Sequence, residues 1–391
     1  KDETERFFRL LRASKRPLLY VGGGVIIGNA SQQLRRFAKH FQIPAVTTLM
    51  GIGSMDTTDE LCLGMLGMHG TAYANYAVED CDLLIAVGAR FDDRVAGVPE
   101  HFAPNARIAH IDIDAAEVGK VKQPDWYHVG HAATALKDLL DFGKDTKLQH
   151  SRWLKHVAAL KKRHAMDYDR KKSEIQPPMV LDVLNEITQG DAIICTGVGQ
   201  HQMFSAQFFD FKQPRTWITS GSMGTMGFGL PAAIGAQIGA PDKLVIDVDG
   251  DGSMRMNFGE LETATNYNLP VKVLLLNNHG DGMVHQWQTL YYDRRYSGTD
   301  KTLHKKDFVK AAEADGYTFA RRVTAKNQLR RALQAWIGHD DGPAFLEVVV
   351  DKDAFVFPMV GPGETYRSMI TGPHIPSREA PEEEHFVTDQ I

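Results

Sequence analysis

Short apolar, β-rich runs alternate with amphipathic stretches along almost the whole chain, and this rhythm restricts the fold more than any other feature. A strand that recurs only after a helix-length connection pairs in parallel, and parallel sheets need both faces covered by helices. The expectation is an α/β protein with two doubly wound parallel-sheet domains, for which 391 residues are enough. The first block, 1–145, holds a strand Leu18–Val21 running into Gly22-Gly23-Gly24, a helix Ser31–Phe41, strands Ile43–Thr47, Leu83–Val87 and Arg107–Ile113, and a helix Thr134–Phe142. A charged stretch, Ser151–Lys172, carries Trp153, Leu154, Val157 and Leu160 at helical spacing; it reads as the helix of a linker, 146–178, that ends in a loop at Pro177-Pro178. The second block, 179–360, has strands at Ala192–Cys195, Thr216–Thr219, Leu244–Val248, Val271–Leu276 and Phe345–Val350. Residues 361–391, rich in Pro, Gly and Glu, are expected to trail over the surface as an extended tail.

A formal net charge of −5 gives no electrostatic footprint for nucleic acid, and no apolar run reaches membrane-spanning length, so neither partner is expected. Cys62, Cys81 and Cys195 form no CxxC pair and leave an odd count, which points to a reducing compartment and to small buried side chains. The opening Lys1 to Arg6 has neither a Met nor an apolar signal core and resembles mid-protein sequence, so further sequence is expected ahead of it.

The strongest chemical signal lies in the second block. One strand ends in Asp249-Gly250-Asp251-Gly252-Ser253 and the next in Asn277-Asn278. The separation of Asp251 and Asn278 is that of a strand-helix-strand unit, which brings both to the same carboxyl edge of the sheet. A hard cation such as Mg²⁺ takes oxygen ligands of this kind and shares them with a diphosphate. The glycines let backbone approach phosphates, and a helix opening near Asn257 would aim free N–H groups at them. GDG alone is equally the chemistry of an ordinary βα turn.

GDG followed by a strand-terminal Asn-Asn resembles the thiamine diphosphate signature, and the chain is similar to the catalytic subunit of the acetohydroxyacid synthase (acetolactate synthase) family. The runs that carry the likeness are Gly197 to Met203, Gly224 to Gly227, Leu230 to Ala236 and Gly282 to Trp287, with Leu66 to Gly70 and Gly88 to Val95 from the first block. The resemblance implies two α/β domains, a central one for FAD and a C-terminal one for thiamine diphosphate and Mg²⁺. It implies Asp251, Asn278 and the Gly280 carbonyl as metal ligands, and Val198, Gly199, Gln200, His201, Gly252, Ser253, Gly282 and Met283 around thiamine diphosphate. Gly224 and Met226 would meet the aminopyrimidine, with Met226 wedged between the cofactor's rings. FAD would lie along Gly22, Gly23, Gly24, Thr48, Leu49, Leu66, Gly67, His69, Gly88, Ala89, Arg90, Asp92 and Val95. Arg94 would bind the carboxylate of the second 2-oxo acid, and Trp287 and Met68 would shape its pocket.

The implied activity is decarboxylation of pyruvate and transfer of the two-carbon unit to a second pyruvate or to 2-oxobutanoate, in branched-chain amino-acid biosynthesis. A homodimer or tetramer with active sites at the interface, and a small regulatory subunit, go with the family. So does a setting in bacterial cytoplasm or in an organelle reached by a targeting segment. The family's N-terminal domain, with the glutamate that activates the cofactor, would precede Lys1, which makes the 391-residue chain inactive alone. Read singly, the residues keep plainer alternatives: Gly22 to Gly24 as a tight turn, Met226 and Trp287 as core, Arg94 as a surface ion pair. Another thiamine diphosphate-dependent carboligase or decarboxylase, and a silent cofactor-binding fragment, are the rival readings. A nicotinamide dehydrogenase is disfavoured because GxGxxG is missing. His131 stands where the family has Asp near the FAD adenine.

Overall fold

The computed structural model describes residues 2–378. Among these described residues, twelve strands form two six-stranded parallel sheets. The first contains β1 (Pro17–Val21), β2 (Ala45–Thr47), β3 (Cys62–Met65), β4 (Leu83–Val87), β5 (Arg107–Asp112) and β6 (Trp126–Val129), in the order β3-β2-β1-β4-β5-β6. The second contains β7 (Ile193–Thr196), β8 (Trp217–Thr219), β9 (Val245–Gly250), β10 (Lys272–Asn277), β11 (Phe319–Val323) and β12 (Ala344–Val349), in the order β11-β12-β10-β9-β7-β8. The expected doubly wound α/β class is what the molecule shows.

The central strands are buried at every position because helices cover both sheet faces. Successive side chains therefore enter opposite cores. Leu18, Tyr20, Leu84 and Ala86 pack on one face of the first sheet, and Leu19, Val21, Ile85 and Val87 on the other. The second sheet repeats this, with Ile246, Val248, Leu274 and Leu276 opposed to Val245, Val273 and Leu275. Helix Ser31–Phe41 shows the complementary period. Its Leu34, Phe37, Ala38 and Phe41 form one buried stripe, and Gln42 stops it in a left-handed conformation at φ 53°. Replacing fully buried Phe37 by Ala would cost about 3–5 kcal/mol.

Three features differ from the sequence reading. The helix from Ser151 stops at Arg163, short of Lys172. Pro177-Pro178 opens the helix Pro177–Thr188, because the first turn needs no proline N–H and gains from its fixed φ. Residues 361–378 are no loose tail: Tyr366, Met369 and Ile375 are buried in the first domain's core, and the Tyr366 hydroxyl donates to the Val95 carbonyl at 2.6 Å. Residues 379–391 of the expected tail lie outside the described residues. Among the described residues no helix is long and apolar enough to cross a membrane.

The domains are keyed together by shared core residues and by side-chain hydrogen bonds. Ile52 and Met65 of the first join the core of the second, Arg35 donates to the Lys212 carbonyl at 2.9 Å, and Gln207 donates to the His69 carbonyl at 2.8 Å.

Candidate functional site

The second sheet reverses its strand order between β7 and β9, and a cleft opens outside the carboxyl ends of β7, β9 and β10. The register Leu276↔Gly250 sets the start of both following turns at one level. Asp251, at the end of β9, and Asn278, at the end of β10, consequently reach the same cleft edge, Asn278 lining it and Asp251 between the lining residues Gly250 and Gly252. The helix after β9 begins at Asp251 itself, six residues before the expected Asn257, and runs only to Met254. Asn257 instead donates its amide to the Gly227 carbonyl at 2.8 Å.

Asp251 is 1% exposed and its Oδ1 has no hydrogen-bond partner. Burial pushes its pKa up to about 6, opposed first by the positive charge of Lys301. An orphaned buried carboxylate oxygen beside a strand-terminal amide suits a divalent cation, which supplies the missing charge. Among the described residues no three His, Cys, Asp or Glu side chains converge on one point. A metal here would thus rest on the mixed set of Asp251, Asn278 and the Gly280 carbonyl, all oxygen donors. Earlier in β9, Asp247 and Asp249 are fully buried; burial, with the neighbouring Asp249, pushes the Asp247 carboxyl well above the usual carboxylate range.

The turns around Asp251 are fixed by side-chain bracing. Ser253 Oγ accepts from the Val198 N–H at 3.3 Å and the Gly227 N–H at 2.9 Å, joining three loops. Gly199, at φ 151°, makes the turn after β7 in a conformation that a side chain would strain. Gln200 donates to Gln286 Oε1 and to the Ala354 carbonyl, both at 3.0 Å, and accepts from Asn278 Nδ2 at 3.3 Å. With its Nδ2 so engaged, Asn278 keeps Oδ1 on the side of Gly280, whose N–H it accepts at 3.1 Å. Gly282 packs under this contact, since a Cβ there would lie 2.0 Å from Gln200 Oε1. His201 Nε2 lies 3.3 Å from Asp249 Oδ1 without the alignment of a hydrogen bond. Gly224, at φ 66°, begins the exposed approach to half-buried Met226, whose methyl group reaches over Gly252.

Trp287 is only half-buried. It lines a shallow groove with Met283 and Val284, which also line the main cleft, so it stands one helical turn beyond the cleft wall rather than in a core. The partial exposure of Met226 and Trp287 sets aside their reading as core residues.

The first-domain candidates fall along the carboxyl edge of neighbouring strands β3, β2, β1 and β4. Gly22 and Gly24 meet Gly88 backbone to backbone: a Cβ on Gly22 would sit 2.0 Å from the Gly88 oxygen. This close approach lies where the strand order reverses between β1 and β4. The Thr48 hydroxyl caps the short turn Leu49–Gly51, and Leu49 packs on the second domain's core. Leu66 and Ala89 are buried, and Gly67 is clamped by the Asn75 side-chain amide, whose Oδ1 accepts the Gly67 N–H and whose Nδ2 donates to the Gly67 carbonyl. Arg90 pairs with Asp92 at 2.5 Å, and Asp92 also accepts the Arg94 N–H. Exposed Arg94 lines a second cleft with Met68, Val95 and the segment Val360 to Tyr366. His69 is buried, its Nδ1 3.2 Å from the Pro358 carbonyl, and burial lowers its pKa to about 4. His131 stands near Gly28, its ring 3.6 Å from where a Cβ would be.

Three residues were missed by sequence reasoning: Gln286, which ties Gln200 to the Val356 backbone, and Asp281 and Lys301, an ion pair at the cleft. A buried Gln amid Met283, Val284 and Trp287 was the available signal for the first.

A model of the thiamine pyrophosphate enzyme C-terminal TPP binding domain matches residues 197–348, and one of the central domain of the same enzymes matches residues 4–139. The chain is 47% identical over 378 residues to acetolactate synthase 1, chloroplastic, of Nicotiana tabacum, covering 94% of this chain and 56% of that protein. It is 45% identical over 370 residues to the acetolactate synthase large subunit of Corynebacterium glutamicum, covering 93% and 59%. The Arabidopsis thaliana chloroplastic acetolactate synthase is 47% identical over 380 residues, covering 95% and 56%. The chain thus spans somewhat more than half the length of these curated relatives. It belongs to the thiamine pyrophosphate enzymes, of which it carries the central and the C-terminal TPP-binding domains.

Proposed function

We propose that this chain supplies the thiamine diphosphate, Mg²⁺ and FAD sites of an acetohydroxyacid synthase. Such an enzyme decarboxylates pyruvate and joins the two-carbon unit to a second pyruvate or to 2-oxobutanoate. The observation that carries the reading is the orphaned, buried Asp251 carboxylate opposite Asn278 in a cleft at the strand-order reversal. The narrower family rests on the likeness to acetolactate synthases over nearly the whole chain.

In this reading Asp251, Asn278 and Gly280 hold the metal, and Gln200 and Gln286 keep Asn278 in place. Val198, Gly199, His201, Gly252 and Ser253 face the diphosphate, while Gly224, Met226, Gly282 and Met283 receive the rest of the cofactor. When bound, thiamine diphosphate supplies the electron sink for the charge left as a 2-oxo acid loses CO₂. Arg94 offers a guanidinium to the carboxylate of the acceptor acid, and Trp287 and Met68 limit its side chain. FAD would follow the β3-β2-β1-β4 edge, where the strand order is that of dinucleotide-binding sheets. The reaction has no net redox change, which leaves FAD a structural part. Homo-oligomeric assembly, a regulatory subunit, and a bacterial or organellar setting complete the proposal; the plant relatives are named chloroplastic.

The test is calorimetric titration of the cofactor-stripped protein with thiamine diphosphate. Binding should require Mg²⁺ and vanish with Asp251→Ala; unchanged affinity in the variant, or in excess chelator, would remove the metal assignment. Flavin absorbance after incubation with FAD checks the first domain separately. In the complete enzyme, Trp287→Leu should lower the preference for 2-oxobutanoate over pyruvate, since one methylene in a pocket is worth about 1–3 kcal/mol.

A further inference from the structure

The segment after helix Gly282–Tyr291 folds back along that helix and ends at the turn carrying Asn278. The Tyr296 ring stacks on His285 at 4.4 Å, Gln288 donates to the Ser297 carbonyl at 3.1 Å, and the Thr299 hydroxyl donates to Gln288 Oε1 at 3.1 Å. Backbone pairing then takes over. Asp281 N–H donates to the Thr299 carbonyl at 2.9 Å, Lys301 N–H donates to the His279 carbonyl at 2.8 Å, and Gly280 bridges Asp300 in antiparallel fashion. This seam delivers the Lys301 ammonium to the Asp281 carboxylate, with which it pairs.

Asp281 belongs to the cleft wall, and Lys301 stands directly behind it as its ion-pair partner. Asp281 lines the cleft beside Asn278 and Ser253, and its Oδ1 presses on Gly252, where a Cβ would be only 2.1 Å away. The Lys301 side chain is 11% exposed. A lysine so enclosed is costly unless its charge is matched, and one carboxylate oxygen occupies only part of its three-donor capacity. Its field reaches Asp251, where it is the first influence opposing burial.

We propose that Lys301 is a further diphosphate-binding residue of the thiamine site, held in waiting by Asp281 and exchanging that carboxylate for a phosphate oxygen when the cofactor binds. The proposal rests on the cleft being the thiamine diphosphate and Mg²⁺ site. Asp281 is then an internal competitor for Lys301, and the two side chains have opposite effects on affinity. A purely structural latch would make them act alike, because either substitution breaks the same pair.

The experiment is calorimetric titration of cofactor-stripped protein with thiamine diphosphate in Mg²⁺ buffer, read as Kd without turnover, with thermal melting of each variant alongside. Lys301→Met should weaken binding about ten- to a hundredfold, the range for a charge-assisted contact, and Lys301→Arg should stay near the parent. Asp281→Asn should bind as tightly as the parent or more tightly. Weakening by Asp281→Asn to match Lys301→Met would overturn the proposal, as would a Lys301→Met Kd within twofold of the parent while Asp251→Ala has lost binding. Retained binding in Asp251→Ala overturns the site reading itself and this proposal with it. Should Lys301→Met not fold, Asp281→Asn decides alone, a weaker Kd counting against.

Discussion

Gln200, in the wall of the cleft, meets fully buried Gln286 behind it, Nε2 of the first 3.0 Å from Oε1 of the second. Gln286 also takes the Val356 N–H at 2.8 Å and returns its own amide to the Val356 carbonyl at 2.9 Å. Gln286→Leu would strand these buried partners. The expected loss is about 2–4 kcal/mol of stability, at 1–3 kcal/mol per unsatisfied group with partial relaxation, together with weaker Mg²⁺-dependent binding as Gln200 no longer fixes Asn278. Denaturant melts and titration of the variant read the two effects separately; an unaltered midpoint would remove Gln286 from the frame of the site.

Gly22→Ala should damage the first domain through sterics alone. Its φ of −102° suits alanine, but the new methyl would meet the Gly88 carbonyl and Ala89 Cα, which are backbone and cannot rotate away. A loss of about 3 kcal/mol or more is expected, with β1 and β4 pushed apart. Hydrogen exchange should show new opening in those strands and leave β9 and β10 protected; uniform protection throughout would contradict the close approach.

His69 gives the fold an acid sensitivity. Its native pKa of about 4 lies below the ordinary value of 6.5, so unfolded chains take up the proton first. The stability present above pH 6.5 is lost as the pH falls toward 4, amounting to about 2–3 kcal/mol by pH 4.5. In His69→Gln this component disappears. Urea midpoints of parent and variant at pH 7.5 and 4.5 should therefore converge at acid pH; a constant gap would show that His69 titrates normally.

The three cysteines are buried and unpaired, and burial raises each thiol, Cys62 to about 11. None should react with a disulfide reagent at pH 8 in native protein, and all three should react in denaturant. Labelling of native protein at any one would contradict its burial.

The central strands were legible because burial on both faces leaves unbroken apolar runs such as Leu83 to Val87. β3, β6 and β11 were not, and all three are edge strands. In Trp126–Val129 only the first residue is buried, and Phe319–Val323 carries two consecutive exposed arginines, Arg321 and Arg322, so neither shows a strand's apolar signature. Asp251 and Asn278 were readable from spacing, since a βαβ unit has a nearly fixed length. The Asp281–Lys301 pair was not, because a fold-back loop obeys no such period and its ends meet through tertiary pairing that local sequence does not announce.

The return of Tyr366 to the first domain has a consequence for how the protein is made. The tyrosine and the Val95 carbonyl it binds are 271 positions apart, and the second sheet lies between them in the chain. As the polypeptide emerges during synthesis, the first domain lacks the cover that Tyr366 gives Phe102 and the Val95 carbonyl until the strap from Val360 to Ile375 has been made. Folding order is then not domain by domain: a segment made after the second sheet completes an earlier core, and closing that long loop slows the step.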